Sequence, residues 1–229
     1  MSFLLECIGL SKHFGGIPAV DDVTFKMQEK ELKCIIGPNG AGKTTLLNLI
    51  AGLLKPEAGR IIFKGKDITG LSAYRRAQIG IARTFQLTTV FQKMTAYDNL
   101  LIANSGRANI PDIVKNMGLE DKLDRKVSHL SYVDKKRLEI AMAVALNPTL
   151  LLLDEPFSGL SEDEIRELTV QIKSLADKMT ILMIEHKISK VCDLAHRITV
   201  LNDGKIICDG KPDEALNDPT VRKVYWKYE

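Results

Sequence analysis

Residues 37–45 constrain the fold more than any other stretch of the chain. They read Gly-Pro-Asn-Gly-Ala-Gly-Lys-Thr-Thr and fit the pattern G-x-x-x-x-G-K-[ST]. An apolar segment at residues 32–36 precedes the pattern, and a segment with helical spacing at residues 44–54 follows it. A strand, a glycine-rich loop and a helix in this order are typical of a phosphate-binding loop. The sequence therefore predicts an α/β fold built around bound phosphate.

The residue types of the loop suit that chemistry. Glycines at positions 37, 40 and 42 let the backbone curl so that its N–H groups point inward, and the start of the following helix adds positive charge. We expect Lys43 to reach the terminal phosphates and the Thr44 hydroxyl to bind Mg²⁺. A chance glycine-rich turn is the alternative, which the flanking segments disfavour. The candidate phosphate site comprises Gly37, Pro38, Asn39, Gly40, Ala41, Gly42, Lys43, Thr44 and Thr45.

Composition narrows the class of protein. The chain has 229 residues, of which 45% are hydrophobic and 27% charged, as in an ordinary globular protein. The net charge of +3 is too balanced to favour nucleic acid as a main ligand. The four cysteines are scattered without C-x-x-C spacing, so they suggest neither a metal site nor a disulfide framework.

The N-terminal residues lack the pattern of a signal peptide, and no apolar run approaches the ~20 residues of a membrane span. We therefore expect a cytoplasmic protein unless a partner holds it at a membrane.

Hydrophobic periodicity predicts the elements around the loop. Strands are expected at residues 3–8 and 20–27, joined by a turn at residues 12–16 that contains Phe14. That aromatic side chain either packs in a core or stacks on a nucleobase, and the spacing alone favours the core. Further predicted elements are a strand, turn and short strand at residues 61–68, a helix at 72–77, and a strand at 79–85 that ends beside Gln86.

Residues 87–147 have a different character, with candidate helices at 96–105, 110–117 and 134–146. We interpret residues 1–229 as a single domain with a helical lobe at roughly 87–147. The predicted fold class is α/β: a P-loop NTPase (RecA-like) core with an antiparallel β subdomain and an inserted α-helical lobe.

Polar side chains follow two more buried strands. Residues 150–153 are all leucine and lead into Asp154 and Glu155, and the apolar segment 180–184 leads toward His186. Ligands of open α/β sheets gather at the carboxyl ends of parallel strands, so these groups are expected beside the phosphate loop. Each has a structural alternative, since an Asp-Glu pair is often a solvated turn and a lone histidine is often structural.

The predicted roles follow from the chemistry of phosphoryl transfer. Asp154 holds the Mg²⁺ shell, through water or Thr44, and Glu155 accepts a proton from an attacking water. His186 holds that water or touches the γ-phosphate. Gln86 reaches the Mg²⁺ or the water.

Taken together, these residues resemble the ATP-binding subunit of an ABC transporter over nearly the whole chain. The resemblance includes the aromatic loop at Phe14, the phosphate loop, the glutamine loop at Gln86 and the switch histidine at His186. It also includes the family's signature segment, which corresponds here to Ser131, Tyr132, Val133 and Asp134. Residues 82–86, 184–186, 197–201 and 217–225 resemble the branched-chain amino-acid importer group, and the lipopolysaccharide-export ATPase is similar in the same places.

The resemblance implies a mechanism and partners. Members of the family form head-to-tail dimers, here a homodimer or a heterodimer, that sandwich two ATP molecules with Mg²⁺. Phe14 is then expected to stack on adenine, and Ser131 to meet the γ-phosphate of an ATP bound to the other subunit. Integral membrane permease subunits dock near the glutamine loop and helical lobe, so this subunit would be peripheral on the inner face of the membrane.

The chain departs from the family pattern at the signature and in the loop that follows Glu155. Val133 stands where glycine is usual, Asp134 where glutamine is usual, and Ser161 where Asp or Asn is usual. Valine adds a stiff side chain, and Asp134 adds negative charge near an anion. We therefore expect the signature segment to form a weakened half-site, meaning that it contacts the ATP of the other subunit less favourably, unless the interface tolerates the valine by a small shift.

Two rival classes remain at this stage. A soluble ABC ATPase acting on DNA or ribosomes is disfavoured, because the stretch between Lys43 and Asp154 is short and lacks sustained heptads, and the chain has one nucleotide motif set. A nucleotide-binding regulator with little turnover is disfavoured by the presence of Glu155 and His186.

Overall fold

A computed structural model describes residues 3–84, 90–104, 106, 108–186 and 188–225. Its strands are β1 (Leu5–Phe14), β2 (Ile17–Met27), β3 (Leu32–Ile36), β4 (Ala58–Phe63), β5 (Lys66–Asp67), β6 (Ile81–Arg83), β7 (Leu150–Asp154), β8 (Thr180–Ile184), β9 (Arg197–Asn202) and β10 (Lys205–Gly210). Its α-helices are α1 (Lys43–Ala51), α2 (Ala73–Gln78), α3 (Ala96–Asn104), α4 (Ile110–Met117), α5 (Tyr132–Ala145), α6 (Glu162–Ala176), α7 (Ile188–Cys192), α8 (Pro212–Asn217) and α9 (Pro219–Tyr225).

The strands form two sheets. The smaller sheet is antiparallel with the order β2-β1-β4-β5, which agrees with the predicted antiparallel subdomain. The larger sheet has the order β10-β9-β3-β8-β7-β6, and all of its neighbouring pairs are parallel except the hairpin of β9 and β10. Every residue of β3, β7 and β8 is buried, as their mainly apolar sequences predict, and the burial includes Lys33, Asp154 and Thr180.

Helix α1 lies between the two sheets. Its apolar side chains, such as Leu46 and Ile50, share one buried cluster with Leu5 of the small sheet and Leu182 of the large sheet. The opposite face of the large sheet packs against the other major helices, in a cluster that includes Leu138 of α5 and Leu168 of α6. The phosphate loop is thus held where a buried strand meets a helix that is covered on both sides.

Several predicted boundaries were wrong, mostly because glycines end elements sharply. The first hairpin is longer than predicted: Lys12, His13 and Phe14 belong to β1, and only Gly15 and Gly16 turn the chain, both at positive φ. Helix α1 ends at Ala51 rather than residue 54, because Gly52 adopts the left-handed conformation at φ 78°.

Between β6 and β7, the described regular elements are all helical: α3, α4 and α5, with short 3₁₀ turns at Glu120–Lys122 and Val127–His129. The interpretation of residues 87–147 as a lobe within one domain stays a prediction. Across the part of the chain that the structure describes, no helix has both the length and the apolar character to cross a bilayer.

Candidate active site

The phosphate loop joins the buried end of β3 to the start of α1. Gly40 and Gly42 have φ of 80° and 97°, a conformation in which other residues are strained. Gly37 is required for a different reason, because a Cβ atom there would lie 2.1 Å from the carbonyl oxygen of Leu201. The sequence predicted that all three glycines shape the loop, and the neighbouring strand β9 explains why Gly37 cannot carry a side chain.

Lys43 is the first residue of α1 and is only 5% exposed. Its Nζ donates hydrogen bonds to the carbonyl oxygens of Gly37, at 2.8 Å, and Pro38, at 2.9 Å. Burial lowers the pKa of the ammonium group, and the carboxylates of Glu155 and Asp154 oppose that shift. The cation is therefore held inside the curl of the loop, close to both acids.

Asp154 ends β7 beneath the loop and is 2% exposed. Its Oδ2 accepts a hydrogen bond of 2.8 Å from Arg83, whereas its buried Oδ1 has no hydrogen-bond partner among the described residues. Burial raises the pKa of this carboxyl, and the ion pair with Arg83 opposes the shift. This buried carboxylate oxygen and the Thr44 hydroxyl in the loop make a donor set that fits Mg²⁺.

Arg83 was missed by the sequence analysis. It lies at the end of β6 and also donates to Asn48 of α1 and, from Nε at 3.2 Å, to the carbonyl oxygen of Thr84. The guanidinium thereby joins the helix of the phosphate loop to the strand that carries Asp154. A basic residue at the end of a predicted strand was the available signal, but nothing in the sequence says which acid it contacts.

Glu155 and His186 form a close pair. His186 Nε2 lies 2.6 Å from Glu155 Oε1, although the two residues come from different strand ends and no partner for Glu155 was evident from the sequence. The backbone of Glu155 is left-handed, with φ of 48°, and its N–H donates to the carbonyl oxygen of Ile184. The turn after β7 is therefore bonded to the end of β8.

A cavity of about 220 Å³ brings the phosphate loop together with Glu155 and His186. It is lined by loop residues that include Lys43 and Thr44, by Ala19 of β2, and by Glu155 and His186. A larger cavity of about 730 Å³ lies near Phe25, Glu31 and Asp209, and none of the described loop residues 37–45 lines it. Chemistry, rather than size, identifies the smaller cavity as the candidate active site.

Phe14 lies at the tip of the first hairpin and is 49% exposed, so it does not pack in a core, the alternative that the spacing alone favours. Glu57 holds the strand just before it, with Oε1 2.9 Å from Lys12 Nζ and Oε2 2.8 Å from His13 Nδ1. Hydrogen bonds from Lys12 and His13 lower the pKa of Glu57 to about 2. The aromatic ring is thus presented to solvent from an anchored strand.

The signature segment forms the N-terminus of α5. Ser131 caps the helix, accepting a hydrogen bond of 3.2 Å from the Asp134 N–H and donating one of 2.7 Å to Asp134 Oδ2. The Asp134 carboxylate also pairs with Lys122 at 3.2 Å and Arg137 at 3.5 Å. Tyr132 is 49% exposed, whereas the Val133 side chain is buried in the main apolar cluster.

These contacts change the interpretation of the departures from the family pattern. Val133 adds its bulk to the core rather than to the surface, and the negative charge of Asp134 is partly compensated by two cations. Ser161, the third departure, caps α6 in a capping box with Glu164. Gln86 falls within residues 85–89, which lie outside the described residues.

Comparisons with known proteins agree with this geometry. The family model described as "ABC transporter" matches residues 20–158. The chain is 36% identical to the high-affinity branched-chain amino acid transport ATP-binding protein LivG of Salmonella typhimurium, covering 97% of each chain. It is 34% identical to the lipopolysaccharide export system ATP-binding protein LptB of Acidithiobacillus ferridurans, covering 98% of this chain and 97% of the relative.

The chain belongs to the ABC transporter family.

A solved structure supports the same assignment at the level of the fold. The ADP conformation of MJ1267, an ATP-binding cassette of an ABC transporter, superposes with a TM-score of 0.91 at 30% identity, covering 99% of both chains. The predicted P-loop NTPase fold class is confirmed. The chain is therefore an ATP-binding, ATP-hydrolysing subunit of the ABC transporter family.

Proposed function

We propose that the cavity beside the phosphate loop binds ATP through residues 37–45, with adenine stacked on Phe14. The backbone N–H groups of the loop and the start of α1 hold the phosphates, and Lys43 exchanges its carbonyl partners for phosphate oxygens. Bound Mg²⁺ would be held by Thr44, the buried Oδ1 of Asp154, and Gln86, and would neutralise charge on the β- and γ-phosphates.

Hydrolysis proceeds by attack of water on the γ-phosphorus. The bond from that phosphorus to the oxygen bridging the β-phosphate breaks, which leaves ADP and phosphate, and Glu155 accepts the proton of the water. His186 orients Glu155 through their 2.6 Å contact and reaches toward the γ-phosphate. The contact between Glu155 and His186 is the single observation that best supports these roles, because it links two strand ends at the cavity.

We propose that two such subunits, identical or different, close head to tail. The signature segment at the start of α5, comprising Ser131, Tyr132, Val133 and Asp134, then faces ATP on the partner's phosphate loop, with Val133 contributing its backbone and not its buried side chain. The carboxylate of Asp134 accepts the Ser131 hydroxyl and lowers the affinity of this half-site for the anionic ATP, despite its two cationic neighbours.

The transported substrate is proposed to be a branched-chain amino acid, taken up through separate integral membrane permease subunits. Support comes from the 36% identity with LivG over 97% of each chain. Four exposed apolar side chains in and near α3, Phe91, Tyr97, Leu101 and Ile102, each between 43% and 51% exposed, are proposed to form an apolar surface for a cytoplasmic segment of a permease. The subunit is thus proposed to be peripheral on the inner face of the cell membrane, with no nucleic-acid partner.

The test is co-purification from detergent-solubilised membranes, followed by transport in proteoliposomes. We expect permease subunits to accompany the chain, and ATP with Mg²⁺ to drive leucine transport. The Lys43→Ala variant should lose ATP binding by at least about 100-fold, since it removes charge-assisted hydrogen bonds worth roughly 1.5–3 kcal/mol each. Lys173→Ala, at an exposed position of α6, is the matched control and should behave as the unchanged chain.

The relative LptB makes lipopolysaccharide export the second candidate function, at 34% identity. Co-purification with lipopolysaccharide-export membrane subunits, together with ATPase activity but no amino-acid transport, would replace the import proposal with this one.

A further inference from the structure

Glu185 is a buried carboxylate that neither the phosphate loop nor the proposed hydrolysis step uses. It follows the last residue of β8, directly before His186, and is 3% exposed. Burying a carboxylate is costly unless its oxygens accept hydrogen bonds. The partners of this side chain therefore indicate what it is for.

Its two oxygens bind two different segments of the active site. Oε1 accepts a hydrogen bond of 2.9 Å from the backbone N–H of Phe157, and Oε2 accepts one of 3.2 Å from the backbone N–H of His186. Phe157 lies two residues after Glu155, in the turn that follows β7, and its ring is 1% exposed. One carboxylate thus bridges the turn that holds Glu155 and the start of the segment that holds His186.

The turn needs such support. Glu155 adopts a left-handed backbone conformation, φ 48°, which costs a non-glycine residue free energy and persists only where surrounding contacts fix it. The Glu155 N–H donates to Ile184 at 3.1 Å, and the Glu185 N–H donates to Ile35 at 3.2 Å. Together with the Glu185 carboxylate, these bonds attach the turn to the central strands β8 and β3.

We propose that Glu185 is a positioning residue for ATP hydrolysis, which sets the distance and orientation between Glu155 and His186 by binding the backbone of both segments. The inference rests on the roles given above to Glu155 and His186. Burial raises the pKa of Glu185, and the hydrogen bonds from Phe157 and His186 oppose the shift, as expected for a carboxylate that must accept from both.

The substitution Glu185→Gln tests this role with little change in volume. An amide has one acceptor oxygen, so its NH₂ group would face one of the two N–H donors. In the full chain within its transporter complex, we expect kcat to fall roughly 10- to 100-fold, as a displacement of about 1 Å in an active site does. The KM for ATP should change less than about twofold, because the phosphate loop is untouched.

A double-variant cycle separates positioning from a general effect on the fold. If Glu185 acts on the relation of Glu155 to His186, then Glu185→Gln should reduce kcat little further in a His186→Ala background. Glu31→Gln is the matched control. Glu31 is also buried, at 8% exposed, and accepts a hydrogen bond of 2.6 Å from the backbone N–H of Gln28. It lies before the first residue of β3, whereas the phosphate loop follows the last residue of that strand. This substitution should leave kcat unchanged.

An unchanged kcat in Glu185→Gln, or losses that multiply in the double variant, would overturn the inference. Should Glu185→Gln fail to fold, Glu185→Asp keeps both acceptor oxygens on a shorter side chain. A lower kcat at constant KM in that variant supports the inference, and a normal kcat overturns it. If the unchanged complex hydrolysed no ATP, the proposed function would fail and this inference with it.

Discussion

Phe14 shows how one exposed side chain can be assigned a role. It is 49% exposed at the tip of a hairpin whose strand is anchored through Glu57, so folding does not explain a large apolar ring at this position. An aromatic ring that stays in solvent until a base stacks on it would contribute to affinity without contributing to stability.

We therefore expect Phe14→Ala to weaken ATP binding about 2- to 10-fold, which corresponds to the roughly 0.5–1.5 kcal/mol of an aromatic stacking contact. The free energy of unfolding should change by less than about 0.5 kcal/mol, since the residue is on the surface. Fluorescence titration with ATP and urea unfolding measure the two quantities. Ile17→Ala is the control, because Ile17 is 73% exposed and pairs with Phe14 across the hairpin; equal losses of affinity in both variants would contradict the stacking role.

The proposed catalytic groups also show what the sequence could and could not predict at the residue scale. The loop glycines, Lys43, Asp154, Glu155 and His186 were found because each follows or joins a buried apolar strand. The contacts of Arg83 and Glu185 were not, since they join residues 71 and 28 positions apart and depend on how strands lie side by side. Local patterns predict where a strand ends, but not which side chain on a neighbouring strand it will meet.

At the level of elements, the first turn of helix α5 both caps the helix and contributes a side chain to the apolar core. Ser131 accepts a hydrogen bond from the Asp134 N–H and donates its hydroxyl to the Asp134 carboxylate, while Val133 packs inward against the main cluster. From the sequence, Val133 is expected to place its side chain near the partner's ATP, because which face of a first helical turn packs inward is hard to predict from a local pattern.

Val133→Gly should therefore lower the free energy of unfolding, by about 2–4 kcal/mol, since it removes a buried side chain and places glycine within a helix. Urea unfolding measures this, with Val133→Ala as a control that keeps helix propensity. Steady-state ATPase activity of the dimer tests the weakened half-site in the same variant. Unaltered activity in Val133→Gly would reject a role for the valine there and leave Asp134 as the group to substitute.

For the whole molecule, the predicted fold class was right. The order and spacing of the motifs can be read from the sequence, whereas individual side-chain contacts cannot. Two sheets with α1 between them place the phosphate loop and two further strand ends at one edge. The apolar surface of Phe91, Tyr97, Leu101 and Ile102 lies instead in and near α3. Separate surfaces for nucleotide and partner are what a subunit needs if ATP is to act on another protein.

Leu101→Glu should abolish co-purification with permease subunits while leaving ATP affinity unchanged, because it places a charge in the proposed apolar interface. Pull-down from solubilised membranes and ATP titration of the purified chain are the measurements. Val170→Glu, at a 67% exposed apolar position on α6, is the matched control and should co-purify normally. If Leu101→Glu remained bound to the permease, the docking surface would lie elsewhere.

The left-handed backbone at Glu155 has a consequence for how this protein can be engineered. Glycine tolerates that conformation without steric penalty, so Glu155→Gly should relieve about 1 kcal/mol or more of strain while eliminating the proposed base. A library of variants selected only for heat tolerance would thus drift toward glycine at this position and yield robust but inactive protein.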